Sequence, residues 1–446
     1  MHSRKCQTVR NAAGQWLRMA GGNETYRPKK DKRSSLSGSN GGVSVVGQRF
    51  FPLDRELGLL PGGYTPQVQE AMTRLGSRMS YGEACEELVL LWKVEVSRGS
   101  VRRVTLRHGQ VADSLIQEQV EQLEATAPQP TAQPEQLVMC IDGAMVQVTG
   151  GEWREVKTMA LGEFQPYWDA GQQQVVTQTR QLSYFSRVDT AENFSRLALA
   201  EWQRRGGDNA HTVVAVQDGA AWIQGVIDYH CPQATRVIDF AHAQSYVAMV
   251  GRAVYGAETD AFRQWYGRMS RQLGHQPPQR TVGELRLLQR QHPDHPQAAE
   301  IELAIRYLEN RLAMIDYPHF RRQQLPIGSG IVESGHKVVM QKRMKQAGMR
   351  WAETSLNPML ALRTALCNQT WNQTWQEIQT RVRQDKYPTH AQPKRPPNTA
   401  SVLDVVSQAD CRRLSELAKQ LDRKKRQPWQ DHRWVFPHRS HLIHQN

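Results

Sequence analysis

The sequence predicts an α/β protein built around a sheet that contains both parallel and antiparallel strands. Two hydrophobic segments, LVMCI at 137–141 and TVVAV at 212–216, have the length and the branched side chains of buried strands. Each ends close to an Asp-Gly pair, and further strand-like and helix-like segments follow them in the order βββαβαβ. A chain of 446 residues can form two or three domains with separate cores.

The charge of the chain indicates a polyanionic partner. Lys and Arg number 57 against 43 for Asp and Glu, which gives a formal net charge of +14. A strong positive charge favours binding to nucleic acid. A membrane is the poorer candidate, because no apolar run approaches the roughly 20 residues that span a bilayer and the N-terminus has no hydrophobic signal region. We therefore expect a cytoplasmic protein.

The six cysteines lie far apart and include no CxxC pair. This spacing argues against a disulfide framework and against a zinc site with cysteine ligands. We interpret the cysteines as reduced thiols, most of them buried.

The N-terminal third is predicted to be helical after a basic, Gly- and Ser-rich arm. Helices are expected at 65–75, at 81–92 after Ser80, and at 100–108. The last two, separated by KVEVSRGS, have the pattern of a helix-turn-helix, and an ordinary helical hairpin with a polar outer face explains them equally well. In a helix-turn-helix, the side chains turned towards a major groove would be those of Ser100, Arg102, Arg103, Thr105 and Arg107.

A further helix at 111–125 and the linker APQPTAQPEQ precede the strands. The expected strands and helices of the next region are strands at 137–141, 144–148 and 153–161, an extended piece at 175–185, a helix to Arg205, a strand at 212–216, a short helix to His230 and a strand at 236–240.

The order βββαβαβ resembles that of the ribonuclease H-like fold, in which the first and fourth strands are parallel neighbours. Asp142 and Asp218 would then leave adjacent strands on the same side, where open α/β sheets bind their ligands. An Asp-Gly pair alone is a common turn composition. Two such pairs at matching places favour a functional site.

Residues 243–325 form a predicted all-α insertion, with helices at 243–255, 259–273, 281–291 and 296–315. The loop QHPDHP lies within it. His292 and His295 have no further ligand-type residues at suitable spacing, so the loop is interpreted as solvated and not as a metal site.

The segment from Pro326 to Trp351 supplies a third carboxylate. Gly and Pro residues precede a predicted helix with Glu333 in its first turn and Lys337 four residues further on. Taken alone, Glu333 could simply complement the helix dipole beside a solvated basic face. Together with Asp142 and Asp218 it could hold two divalent cations about 4 Å apart, as enzymes that transfer phosphoryl groups do. Hard oxygen ligands favour Mg²⁺, with Mn²⁺ as a substitute.

The ordered motifs resemble those of the DDE transposases of bacterial insertion sequences, most closely the ISKra family. The segments that carry the resemblance are FFPLD (50–54), IDGAMV with GEWREVK (141–157), VQDGAAWI (216–223), IDFAHA (238–243) and PIGSGIVESGHK through MKQAGMRW (326–351). The segment before FFPLD reads GGVSVVGQRFF, without the small cysteine zinc motif usual in the family.

The resemblance implies that Asp142, Asp218 and Glu333 are the catalytic, metal-binding triad, with a helical insertion before Glu333 as in Mutator-like transposases. It also matches Asp239 and His242 to a D-x-x-H signature. We expect these two to support the triad or orient DNA without holding a metal; the alternative is a capping Asp and a buried His bonded to the backbone.

The predicted protein is thus a transposase that cuts DNA at the ends of its element and joins them to target DNA, acting as a homo-oligomer on DNA. One alternative is a ribonuclease H-like nuclease or resolvase, and another is a non-catalytic DNA-binding regulator. The DNA-binding candidates are Arg102, Arg103, Arg107, Lys337, Lys342, Arg343 and Lys345.

The predicted divisions of the chain are a flexible basic arm at 1–45, a helical DNA-binding region at 46–115, a helix end and linker at 116–135, the first part of the core at 136–242, the insertion at 243–325, the last part of the core with C-terminal helices at 326–370, and a basic tail at 371–446.

Overall fold

A computed structural model describes residues 60–386, except 62, 127, 129, 131 and 172, together with the backbone of four short strands nearer the N-terminus. All of these belong to one compact unit, Met1–Pro388, while a second unit, Thr389–Asn446, lies outside the described residues. Most of the predicted basic arm, and the predicted basic tail beyond residue 386, also lie outside them. No described helix is long and apolar enough to cross a lipid bilayer. The four short strands are Gln7–Arg10, Trp16–Met19, Val43–Val45 and Gln48–Phe50.

The core is a five-stranded mixed sheet, as the α/β prediction required. Its strands lie in the order β3-β2-β1-β4-β5. Within this sheet, the first three strands in chain order pair antiparallel, whereas β4 is parallel to both β1 and β5. The strands are β1 (Gln136–Gln147), β2 (Trp153–Asp169), β3 (Gln174–Arg187), β4 (Thr212–Gln217) and β5 (Thr235–Ile238).

Strand β1 runs straight through Asp142 and Gly143, where the sequence predicted a turn between two strands. Gly143 pairs with Lys157 of β2, and a Cβ atom at Gly143 would lie 2.2 Å from Glu155 Oε1. The glycine therefore makes room for a side chain of the neighbouring strand and does not reverse the chain. The order βββ survives because the extended piece at 175–185 is the third strand.

Helices cover both faces of the sheet. On one face, Val138 and Cys140 of β1 pack with helices that include the predicted insertion; on the other, Met139 and Ile141 pack with α4 and α5. The helices are α1 (Pro66–Arg78), α2 (Tyr81–Trp92), α3 (Arg98–Thr126), α4 (Ala191–Arg204), α5 (Ala221–His230), α6 (Phe240–Tyr255), α7 (Asp260–His275), α8 (Pro278–Gln291), α9 (Ala298–Glu309), α10 (Tyr317–Arg322), α11 (Gly330–Gly335), α12 (Lys342–Met344), α13 (Leu356–Cys367) and α14 (Trp371–Lys386).

Helix α3 is one continuous helix where the sequence predicted two. The predicted break fell at Gly109, but a Cβ atom there would lie 2.5 Å from the carbonyl oxygen of Pro358. Gly109 therefore allows α13 to pack closely against α3 and does not end the helix. Because α3 crosses the boundary predicted at 115/116, it joins the N-terminal helices directly to the core.

Helices α6 to α8 of the insertion lie close to their predicted bounds, because each has a clear apolar stripe. The helix predicted at 296–315 ends earlier, at Glu309, and a 3-10 turn at Leu312–Met314 follows it. Arg286 of α8 forms ion pairs with Glu302 and Glu309 of α9, which ties the two helices together. In the QHPDHP loop, His292 is exposed and its Nδ1 lies 3.0 Å from the Leu288 carbonyl oxygen.

We expect acid to destabilise the fold through His108 of α3. Its Nδ1 lies 2.8 Å from Thr73 Oγ1, whose own hydrogen goes to the Gln69 carbonyl, so Nδ1 carries the proton. Burial lowers the pKa of His108 from 6.5 to about 3. A depressed histidine pKa means that the unfolded state binds the proton first, so stability is full above pH 6.5 and falls towards pH 3.

The expected loss from this residue is up to about 1.4 kcal/mol per pH unit in that window. Urea unfolding at several pH values should show the fall, and His108→Gln should flatten it. An equal slope in the variant and the wild type would contradict this assignment.

Candidate active site

Asp142 lies on the face of β1 that also carries Val138 and Cys140, and its side chain is 41 % exposed. Its Oδ1 accepts a hydrogen bond from Gly143 N at 2.7 Å, and its Oδ2 lies 3.6 Å from His336 Nδ1. Burial raises the pKa of Asp142, while the His336 ring acts in the opposite direction. The smaller repulsion from Asp218 and Glu155 also raises this pKa, so both carboxylates lie close enough to Asp142 to affect its charge.

Asp218 reaches the same edge of the sheet from β4. The last parallel pair between β1 and β4 is Cys140 with Val216, and each aspartate lies two residues beyond that pair. Asp218 Oδ1 accepts a hydrogen bond from Ala220 N at 2.8 Å. The pairing predicted between the first and fourth strands therefore brings the two aspartates to matching places.

The insertion holds the loop that carries Asp218. The Tyr307 hydroxyl of α9 donates to the Asp218 carbonyl oxygen, and Arg311 Nη2 donates to the Gly219 carbonyl oxygen at 3.1 Å. Gly219 has φ +87°, and a Cβ atom there would lie 2.6 Å from the Tyr307 hydroxyl. Only glycine allows this approach without strain, so the loop and α9 fit together as one unit.

Glu333 lies in the first turn of α11, and its side chain is exposed. Helix α11 packs across β1, β2 and β3, and a Cβ atom on Gly335 would come within 2.8 Å of the Tyr184 ring. His336 follows Glu333 by three residues and faces Asp142, and the Glu333 charge opposes the lowering of the His336 pKa by burial. The third predicted carboxylate thus lies one helical turn from a side chain that contacts the first.

The backbone changes pitch immediately after Glu333. Residues His336–Gln341 form a π-helical turn, where the sequence predicted an unbroken helix up to Gly348. The buried Arg363 of α13 donates to the carbonyl oxygens of Val338 and Val339, the latter at 3.0 Å. A guanidinium from a distant helix thus stabilises the wider turn, and no local sequence pattern could predict it.

The predicted ligands suit Mg²⁺ by their chemistry, since all three are carboxylates. Each aspartate has one oxygen engaged by a backbone N–H, which leaves the other oxygen for a ligand. Among the residues that the structure describes, however, no three His, Cys, Asp or Glu side chains are grouped so that they could hold a metal ion. The structure therefore brings the two aspartates to one edge, whereas Glu333 is connected to Asp142 only through His336 and is not assembled with them into a three-ligand site.

Asp239 connects β5 to the beginning of α11. Its Oδ1 accepts from His242 N at 2.7 Å, which caps α6, and its Oδ2 accepts from Ser329 N at 2.7 Å, just before α11. The Phe240 N–H also donates to the Ile327 carbonyl at 2.9 Å. The capping interpretation is thus correct for one oxygen, and the other oxygen holds the loop that begins the Glu333 helix.

His242 is half-buried against aromatic rings. It packs edge-on against Tyr246 at 5.3 Å and Tyr307 at 5.8 Å between ring centroids, and these two rings stack at 3.9 Å. Because Tyr307 holds the Asp218 carbonyl, His242 is connected to the aspartate loop through this stack.

We expect Asp239→Ala to cost about 1 to 2 kcal/mol of stability, because the N–H of His242 and that of Ser329 both lose their acceptor. Asp239→Asn should cost less, since its single carbonyl oxygen can accept from one of them. Chemical denaturation of both variants measures the difference. Equal stabilities of Asp239→Ala and Asp239→Asn would show that the hydrogen bond kept by asparagine contributes nothing.

The basic residues proposed for DNA binding divide into exposed and buried ones. Arg102, Arg103, Lys337, Lys342 and Lys345 are exposed. Arg107 is half-buried and donates to Gln69 Oε1 at 2.6 Å, and Thr105 is fully buried with its hydroxyl on the Met72 carbonyl. These two side chains face α1, because the inner stripe of α3 lies against that helix.

Arg343 is 1 % exposed, so it is not part of the basic surface on which the sequence analysis placed it. Its Nε donates to the Gly76 carbonyl oxygen at 2.8 Å. The guanidinium lies over the Tyr81 and Trp351 rings, at 4.7 Å and 4.9 Å from their centroids. Residues far away in the sequence bury it, which explains why its position in a basic run was misleading.

Several residues near the aspartates were not predicted from the sequence. His336 and Glu155 lie inside the quoted motifs, so a closer examination of those motifs could have found them. Lys157 donates to Glu155 Oε2 at 2.7 Å and reduces the local negative charge. Tyr307 and Arg311 carry no sequence signal, because only the packing of the insertion brings them to Asp218.

Comparisons with protein-family models and with curated proteins find no match to this chain.

Proposed function

We propose that the protein is a DNA transposase, which cleaves DNA strands at the ends of a mobile element and joins them to target DNA. The observation that carries the proposal is the placement of Asp142 and Asp218, two residues beyond the last pair of two parallel strands. Helix α11, with Glu333, packs across the same part of the sheet. The strand order 3-2-1-4-5, with only β2 antiparallel to the rest, supports a ribonuclease H-like fold.

The proposal assigns a role to each of these residues. Asp142, Asp218 and Glu333 would hold two Mg²⁺ ions if Glu333 is brought to the two aspartates, and these ions would supply positive charge for phosphoryl transfer. Asp239 fixes the beginning of α11 and therefore the position of Glu333. Lys337, exposed one turn beyond Glu333, is placed to contact a phosphate of the bound strand.

The exposed arginines of α3 support DNA binding by the helices before the sheet. Ser80 caps α2 through a capping box, and Lys93 ends it in a left-handed conformation before α3 begins at Arg98. Arg102 and Arg103 then lie on the outer face of α3. Two exposed cations on one helical face suit a phosphate backbone or guanine edges.

The experiment is an assay of a labelled duplex that carries the inverted repeat flanking the gene, incubated with the protein and Mg²⁺. Cleaved ends that join to a second duplex support a transposase. Cleavage without joining favours the nuclease or resolvase alternative. Tight binding without either product, in Mg²⁺ and in Mn²⁺, would refute the enzymatic proposal.

A further inference from the structure

A cleft of about 420 Å³ lies between the N-terminal helices and the segment that begins with α12. Its lining includes Arg102 of α3, Tyr81 of α2, and Arg343, Arg350 and Trp351 from the later segment. The backbone of Trp351 pairs with the end of β1 and the residues just after it. The Trp351 N–H donates to the Gln147 carbonyl, and the Trp351 carbonyl accepts from the Thr149 N–H. One wall of the cleft is therefore tied to the sheet, and its volume is in the range of small-ligand sites.

Arg343, which lines this cleft, has a buried hydrogen-bonding group that no described residue satisfies. Its Nη1 lies 3.5 Å from Met349 Sδ, which is a weak acceptor, and its Nη2 is buried without any hydrogen-bond partner among the described residues. The Tyr81 hydroxyl is also buried without a hydrogen-bond partner among the described residues. An unsatisfied buried donor is costly, and a buried guanidinium more so, which indicates an acceptor that the described residues do not provide.

The charge of the cleft is positive. Arg102 and Arg350 are exposed, and within the described part of the chain neither forms an ion pair or a hydrogen bond. No described carboxylate lines this cleft. Glu83, at the start of α2, accepts from Ser80 N at 2.8 Å and closes the capping box. Three guanidinium groups therefore share the space without a carboxylate in its lining.

We infer that this cleft binds a phosphate group through Arg102, Arg343 and Arg350. Guanidinium groups recognise phosphate through paired N–H donors, and the rings of Tyr81 and Trp351 hold Arg343 in a fixed orientation. The phosphate can belong to a DNA backbone or to a small phosphorylated molecule. The inference needs neither the carboxylates nor any strand transfer, so it stands apart from the proposed reaction.

The test compares the double variant Arg102→Gln/Arg350→Gln with a charge-matched control, Arg268→Gln/Arg290→Gln. Arg268 of α7 and Arg290 of α8 are exposed, do not line the cleft and have no proposed role in DNA binding. Thermal unfolding is followed against inorganic phosphate, with chloride at equal ionic strength as reference. Fluorescence anisotropy of a labelled duplex is followed against salt, in EDTA, so that cleavage plays no part.

We expect phosphate to raise the Tm of the wild type and of the Arg268→Gln/Arg290→Gln control saturably, and not that of the Arg102→Gln/Arg350→Gln double variant. If the phosphate is that of DNA, the double variant should also bind duplex more weakly, with a salt slope smaller by about one. If duplex affinity matches the control while the phosphate effect is lost, the site serves a small phosphorylated molecule.

The result that overturns the inference is a phosphate response no greater than that of chloride in the wild type, together with equal duplex affinities in the double variant and the control. The unliganded Tm of the variants checks their folding, and both substituted arginines are exposed. Loss of cleavage in the Mg²⁺ assay would refute the transposase proposal and leave this result unchanged.

Discussion

Glu333→Gln is expected to leave folding and DNA binding intact while strand cleavage and joining fall by orders of magnitude. The Glu333 side chain is exposed in the first turn of α11, so the lost interaction with the helix dipole should cost at most about 1 kcal/mol. A neutral amide is a poor ligand for a hard dication, so a metal-dependent reaction should nearly stop.

The matched control is Glu300→Gln, which removes an exposed glutamate from the first turn of α9. It should retain wild-type cleavage in Mg²⁺, as measured on a labelled element end beside a binding assay. Lys337→Gln should weaken engagement of the DNA with the site without the same collapse of cleavage at saturating DNA. Wild-type cleavage by Glu333→Gln would refute the triad and the proposed mechanism with it.

Arg363→Met is expected to produce the largest loss of stability, about 3 kcal/mol or more. Arg363 is 4 % exposed, and it donates to the Ser77 carbonyl at 3.1 Å as well as to Val338 and Val339. Methionine fills most of the same volume but leaves three carbonyl oxygens without this donor, each at a cost of about 1 kcal/mol or more. The π-helical turn next to Glu333 loses its support in the same step.

Urea unfolding at pH 7 measures this loss. The stability of Arg363→Lys should be intermediate, because lysine keeps the charge and one donor nitrogen but not the planar guanidinium. Arg103→Met, at an exposed arginine of α3, serves as the control and should change stability by less than about 0.5 kcal/mol. If Arg363→Met unfolded like this control, the hydrogen bonds of Arg363 would not stabilise the fold.

Local patterns sufficed for the elements whose stability depends on neighbours in the sequence. Helix α2 begins after Ser80 because Ser80 and Glu83 satisfy each other's backbone groups. The insertion helices and β4 likewise follow from apolar periodicity and from a short branched hydrophobic run. The parallel neighbours β1 and β4 followed from the order of these elements along the chain.

The sequence by itself therefore determined the α/β class, the helical insertion and the matching positions of Asp142 and Asp218 relative to the two parallel strands. Only the tertiary structure decided that Gly143 lies within a strand, that Gly109 lies within a helix, and that Arg343 is buried. In each case the deciding partner, Glu155, Pro358 or the ring of Tyr81, comes from another element. A glycine or an arginine has the same local propensity whether it meets solvent or another part of the chain, so only packing can distinguish the two.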